Sequence, residues 1–277
     1  MASQAAFKYT TKLKGARILV LGGTSGIGFS VAEAAVEHGA RVIISGSNET
    51  KLSKAVDRLR ASFAVLDQDL SQAEEGAPPT GKVCDLANEE ALESNLESLL
   101  QFATSDGQSR LDHVVFTAGD PFEARKLQDV TAAHIARTYL VRATAPVVLA
   151  KLLVPGYIHQ VPASSYTLTG GVNAEKPEAN WTVVAGFSAA VEGYARGLAV
   201  DLKPLRVNCV APGAVHTELF DHVPEEQRGP LLERFRQATT TGTVGRPEDL
   251  AEAYLYCMKD SFVTGSVIKS NGGRLLA

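Results

Sequence analysis

Arg17-Ile18-Leu19-Val20-Leu21-Gly22-Gly23-Thr24-Ser25-Gly26-Ile27-Gly28 is an apolar run of strand length that ends in a cluster of glycines. A helical pattern, Phe29 to His38, follows at once, and a second apolar run at Arg41–Ser45 completes a strand–helix–strand unit. Glycines at 22, 26 and 28 suit a tight turn whose backbone approaches a ligand closely. The N–H groups at the start of the helix carry partial positive charge, which favours a pyrophosphate. A glycine cluster alone is weak evidence; framed by two strands and a helix it predicts a dinucleotide site. Gly22, Thr24, Ser25, Gly26, Ile27 and Gly28 are its candidate contacts. A plain structural turn is the competing reading.

With 277 residues and 45% hydrophobic content, the chain can fill one large core, and a single doubly wound α/β domain over residues 1–277 fits that length. The net charge of −4 offers no field to attract nucleic acid or an anionic membrane. Cys84, Cys209 and Cys257 are widely spaced, without a CxxC or a nearby His pair. They read as small buried residues in a reducing compartment, with no disulfide and no metal site. Met1 to Lys14 lacks the apolar core of a signal peptide, and no apolar run reaches about 18 residues. The expectation is a soluble, cytoplasmic protein.

Beyond the first unit, a helix over Thr50–Ala61 is followed by a break at residues 62–82. There Asp67, Asp69, Glu74 and Glu75 precede Gly76-Ala77-Pro78-Pro79 and predict an exposed acidic surface loop. Strands are expected at Lys82–Cys84, His113–Thr117, Ser165–Thr169, Arg206–Val210 and Ser266–Lys269. Helices are expected at Glu89–Thr104, Thr131–Leu153, Trp181–Leu202, Pro230–Ala238 and Arg246–Met258. This alternation implies a parallel sheet covered on both faces.

Gly22-x-x-x-Gly26-x-Gly28, Asp85, Thr117-Ala118-Gly119, Arg206-Val207-Asn208-x-Val210-x-Pro212-Gly213 with Thr217, and Gly245-Arg246-Pro247-Glu248-Asp249-Leu250 occur in that order. Over residues 14–275 the chain resembles the short-chain dehydrogenase/reductase family. Leu21 stands where the family usually has threonine, and Thr117-Ala118-Gly119 matches the family's Asn-Asn-Ala-Gly turn only in part. The resemblance implies a Rossmann-type fold and a nicotinamide cofactor. It adds Asp85, Leu86, Ala118, Gly119, Arg142, Pro212, Gly213, Val215 and Thr217 to the cofactor contacts, and a homo-oligomer (dimer or tetramer) through two of the helices. The position that usually holds an acidic residue for the ribose of NAD is Gly46, flanked by Ser45, Ser47 and Asn48. These, with Lys51, can donate to a 2′-phosphate, so NADP(H) is the expected cofactor.

The family's catalytic tetrad is absent at every position. Alignment on Val191-Glu192-Gly193 puts Val184 at the tyrosine position and Ser188 at the lysine position. Gly171 (or Gly170) takes the serine position and Arg142 the asparagine position. Tyr194 lies about 15 Å further along its helix, too far to substitute. Ser164 and Ser165 precede the strand that the catalytic serine should follow, and Tyr166 reads as core. No Ser-His-Asp or metal constellation appears, and His216 and His222 read as solvated.

Reduction of a ketone needs an acid for the alkoxide, whereas hydride transfer to an iminium yields a neutral amine directly. Arg142, Asn180 and Trp181 are the candidate catalytic residues, with Trp181 able to offer an aromatic face to a cation or an indole. Helix packing is the bland reading of Trp181. The pattern resembles an atypical fungal branch that includes the bifunctional reductase/Diels–Alderases of indole alkaloid pathways. That branch pairs an arginine with an aspartate, and the aspartate position here is Asn180. The leading expectation is an NADP(H)-dependent reductase of a small preactivated imine or iminium, coupled or not to cyclisation, under a lid at residues 214–245. A non-redox cyclase or isomerase with NADP as a wall of its pocket is the first alternative. A protein that only senses NADP(H) is the second.

Overall fold

The computed structural model describes residues 8–69, 77–122 and 124–277. β1 (Arg17–Leu21) is apolar on both sides because both sides are covered: Ile18 and Val20 enter one core, Leu19 and Leu21 the other. The remaining strands are β2 (Arg41–Gly46), β3 (Thr80–Val83), β4 (His113–Phe116), β5 (Ser165–Thr169), β6 (Arg206–Pro212) and β7 (Val267–Ser270). They pair in the order β3-β2-β1-β4-β5-β6-β7, every neighbour parallel. Helices α1 (Gly26–Glu37), α2 (Glu49–Asp69) and α8 (Pro247–Lys259) cover the Ile18 side. Helices α3 (Leu92–Thr104), α5 (Ala145–Leu153) and α6 (Thr182–Asp201) cover the Leu19 side. The doubly wound α/β expectation is met. The order reverses between β1 and β4, and at such a point the strand ends splay to leave a crevice at their C-terminal edge.

Three elements differ from the sequence reading. Helix α2 does not stop near Ala61 but reaches Asp69, because Phe63 continues the packing of Leu52, Val56 and Leu59 against the core. The expected acidic loop is therefore helical in its first part, and its Glu74, Glu75 and Gly76 lie outside the described residues. Helix α7 (Glu225–Gln237) starts earlier than Pro230, since Pro224 followed by Glu225 and Glu226 supplies the N-terminal signal.

The third difference lies in the expected helix Thr131–Leu153. It is α4 (Ala132–Tyr139), a π-helical turn Leu140–Thr144, and α5, run together. Pro146 has no N–H to give to the carbonyl of Arg142 four residues back. The Ala145 N–H instead reaches five residues back, to Leu140.

On β4, His113 is buried and its Nδ1 lies 2.9 Å from Ser165 Oγ on β5. Burial, with the nearby Arg206 charge, pushes its pKa down to about 3 from an ordinary 6.5. The unfolded chain thus takes up this proton before the folded one does. The stability it contributes is complete above the unfolded pKa and is lost as pH falls toward the folded one. Between pH 7 and pH 4 this residue should cost about 3 kcal/mol of unfolding free energy. His113→Asn should flatten that part of the pH dependence in chemical denaturation; identical slopes for the two proteins would rule the residue out as its source.

Candidate active site

The glycine turn is built by close backbone contact. Gly22 has φ +82°, and a Cβ there would lie 2.6 Å from the Ala118 nitrogen, just after β4. A Cβ at Gly28 would lie 2.2 Å from the Gly22 carbonyl oxygen and 2.3 Å from Thr117 Oγ1. Thr117 Oγ1 donates to the Leu21 carbonyl at 2.8 Å, and the Gly22 and Gly23 N–H groups donate to the Ser45 carbonyl at 3.0 and 3.1 Å. The ends of β1, β2 and β4 are thereby pinned together, and α1 begins at their meeting point. Its N-cap, Ser25, provides no side-chain bond. The Gly26 N–H donates instead to Glu218 Oε2 at 2.9 Å, and Thr217 packs against the same glycine.

The other expected cofactor positions follow the same edge. Thr24 packs against Gly46 at the end of β2. Ser45 is buried, whereas Ser47, Asn48 and Lys51 are exposed. Asn48 Oδ1 accepts from the Lys51 N–H at 2.9 Å, at the entry to α2. Asp85, beyond β3, is exposed and accepts from the Ala87 N–H at 2.9 Å, while Leu86 turns into the core. Past β6, Gly213 lies against Asn271, and Val215 is buried and bridges to Gly245. The cradle fits a dinucleotide: glycines stand where the backbone must approach, and a helix N-terminus points at the crevice. The Glu218 carboxylate, held on the Gly26 N–H at the start of α1, carries a charge that opposes a phosphate there.

Arg142 leaves the π-helical turn and lies against Gly119, where a Cβ would sit 2.4 Å from its Cζ. Its guanidinium lies over the Phe122 ring, 4.2 Å from the centroid, and 5.4 Å from that of Phe187. One of its N–H groups donates to the Asp120 carbonyl. Burial brings its pKa down to about 10, with Asp120 opposing the shift, so it stays cationic at neutral pH. Phe122 also lies 5.3 Å from Trp181 and stacks on Phe187 at 6.2 Å, and Tyr139 meets Phe187 edge-on. Arg142 and Trp181 thus share an aromatic neighbour. Asn180, next to Trp181 in the chain, is exposed and left-handed at φ +67°, and its carbonyl accepts from the Arg125 N–H at 3.0 Å.

Sequence reasoning missed Phe122, Phe187 and Tyr139. Phe187 had a signal, since three residues after Val184 it falls on the same helical face; Phe122 sits in a loop and had none. At the tetrad positions Val184 and Ser188 are 1% and 2% exposed, and Ser188 faces Gly171. Tyr166 is core, donating to the Pro146 carbonyl at 3.0 Å, and Tyr194 stays on the outer part of α6. Among the described residues no group of three His, Cys, Asp or Glu could hold a metal, and no helix is long and apolar enough to cross a membrane.

A family model described as an SDR-like Rossmann domain matches residues 9–277. The short-chain dehydrogenase/reductase malC of Malbranchea aurantiaca is 46% identical over 264 residues, 95% of this chain and 96% of that protein. The short-chain dehydrogenase/reductase fsr5 of Gibberella fujikuroi is 41% identical over 276 residues, 98% of each chain. The solved structure of the MalC reductase/Diels–Alderase matches with a TM-score of 0.87 at 44% identity, over 97% of this chain and 100% of that one. A small-chain dehydrogenase in complex with NADPH matches with a TM-score of 0.72 at 26% identity, over 95% and 100% of the two chains.

The position of Glu218 generates a direct test. Glu218→Gln keeps an acceptor for the Gly26 N–H but removes the charge that faces an incoming phosphate. NADPH should then bind about three-fold more tightly, the size of a charge effect at a helix N-terminus, and more so at low salt. Titration calorimetry that finds weaker or unchanged binding would show that the carboxylate does not oppose the dinucleotide.

Proposed function

The chain belongs to the short-chain dehydrogenase/reductase family, and from that premise we propose that it is an NADP(H)-dependent reductase of a fungal natural-product pathway. Its substrate is an imine, an iminium or a similarly preactivated small molecule, and a cyclisation follows the reduction. The observation that carries this reading is the pair of buried tetrad positions. Where the family keeps its proton donor and the lysine that tunes it, this chain has Val184 and Ser188 inside the core. Both the name of MalC and the NADPH complex of a structural neighbour support the assignment of cofactor and reaction class.

The glycine turn with Thr24, the loop after β4 and Thr217 would hold the cofactor, with Ser47, Asn48 and Lys51 at the 2′-phosphate end. When bound, NADPH supplies a hydride. With the hydride's pair in the new C–H bond and the C=N π pair on nitrogen, an iminium would become a neutral amine without a proton from the protein, and a neutral imine would first take its proton from solvent to become that iminium. Arg142 stays cationic at neutral pH, and the reduction of an iminium asks no proton of it. Its fixed cation donates hydrogen bonds to a polar group of the substrate, such as a carbonyl, and so orients it. Phe122 and Trp181 form an apolar wall that excludes water, and residues 214–245 act as the lid. Asn180 gives a neutral amide where the related branch pairs its arginine with a carboxylate. The same reading takes the chain as a single domain, and as a cytoplasmic homo-oligomer; its three buried free cysteines support the reducing location.

Stopped-flow mixing of the protein, NADPH and a panel of cyclic imines should show loss of the nicotinamide absorbance with stoichiometric amine. Arg142→Ala should lower kcat/KM by about a hundred-fold, as removal of one preorganised donor does. No consumption across the panel would defeat the reductase reading. Product formation with oxidised cofactor and no absorbance change would favour the cyclase instead.

A further inference from the structure

The loop between β5 and α6 ends in Asn180 and Trp181, and it is tied down by the chain's own C-terminal stretch. Lys269 on β7 pairs with Glu175 at 2.7 Å. Lys176 Nζ donates to the Arg274 carbonyl at 3.1 Å, and the Arg274 guanidinium pairs with Glu178 at 2.6 Å. These pairs differ in solvent access. Lys269 and Glu175 are 44% and 42% exposed, Arg274 and Glu178 only 18% and 31%. The Arg274 pair is therefore the less screened of the two and the better able to hold geometry.

Arg274 is itself aimed by a turn. Gly272 and Gly273 are both left-handed, at φ +61° and +74°, and bring the chain back after β7. The Gly272 carbonyl accepts from the Thr241 N–H at 3.2 Å, so the same turn touches the end of segment 214–245. One short stretch thus contacts both sides of the crevice: the loop with Trp181 and the foot of the segment read above as a lid. Glu178 stands three residues before Trp181, and the Trp181 N–H donates to the Glu178 carbonyl at 3.2 Å. That backbone bond ties the residue that carries the indole directly to Glu178.

We propose that Arg274 is a positioning residue: its ion pair with Glu178 sets the placement of Trp181 and hence the fit of the substrate against the aromatic wall. The effect on substrate rests on the function proposed above; the effect on Trp181 does not. Trp181 is the chain's single tryptophan, so its emission reports the loop without any turnover. In Arg274→Gln and in Glu178→Gln, the emission should shift to the red and acrylamide quenching should rise. The KM for a reducible imine should rise about ten-fold, as loss of contacts made equally in ground and transition states does, with kcat and NADPH affinity each within two-fold. The exchanged pair, Glu178→Arg with Arg274→Glu, should restore both emission and KM, and thermal melting of each variant checks that the fold is kept. Unchanged emission in the single variants, or no recovery in the exchanged pair, would overturn the proposal. Shifted emission in a protein that reduces no imine would leave the brace standing and sink the proposed function instead.

Discussion

The site depends on one backbone-to-backbone approach, that of the turn after β1 to the chain leaving β4. Neither Gly22 nor Gly28 has room for a Cβ, because Ala118, Thr117 and the Gly22 carbonyl already fill the space. That approach aims the start of α1 into the crevice and fixes where Ala118 and Gly119 lie. Gly119 in turn receives the guanidinium of Arg142, again at a distance that excludes a side chain. The nucleotide turn and the arginine are thus linked through two adjacent residues, so the cradle and the catalytic candidate cannot move independently.

Arg142 occupies a surrounding unlike that of a surface arginine. Two phenylalanine rings and a backbone carbonyl lie against it and shield it in part from water, and the burial lowers its pKa while leaving it charged at neutral pH. A guanidinium held this way is a fixed array of donors, suited to orienting a group. The π-helical turn beneath it follows from Pro146, a residue that breaks one helical hydrogen bond and so re-aims the side chain four positions earlier.

The short-range features were legible. Strand, turn and helix alternation is encoded by apolar runs and glycines within a dozen residues, and every predicted strand is present near its expected bounds. The changed tetrad positions followed from the family resemblance, through Val184, Ser188, Gly171 (or Gly170) and Arg142 on three elements; that Val184 and Ser188 are buried in α6 came from the structure. The acidic loop and the unbroken helix over 131–153 were misread, for opposite reasons. In the first, tertiary packing of Phe63 extended a helix that local composition would end. In the second, Pro146 removes one helical N–H, and the local shift to a π turn beside it has no periodicity of its own.

What the amino-acid order determined alone is whatever depends on neighbours a turn or a strand apart: the parallel α/β plan and the glycine cradle. Tertiary structure decided the rest. The Glu218 carboxylate meets an N–H 192 positions away, and Arg274 meets Glu178 across 96. Phe122 and Phe187 face Arg142 only once β4, the π-helical turn and α6 have been assembled. Contacts of that kind rest on side-chain direction and close packing between distant segments, which no local pattern of hydrophobicity or charge encodes.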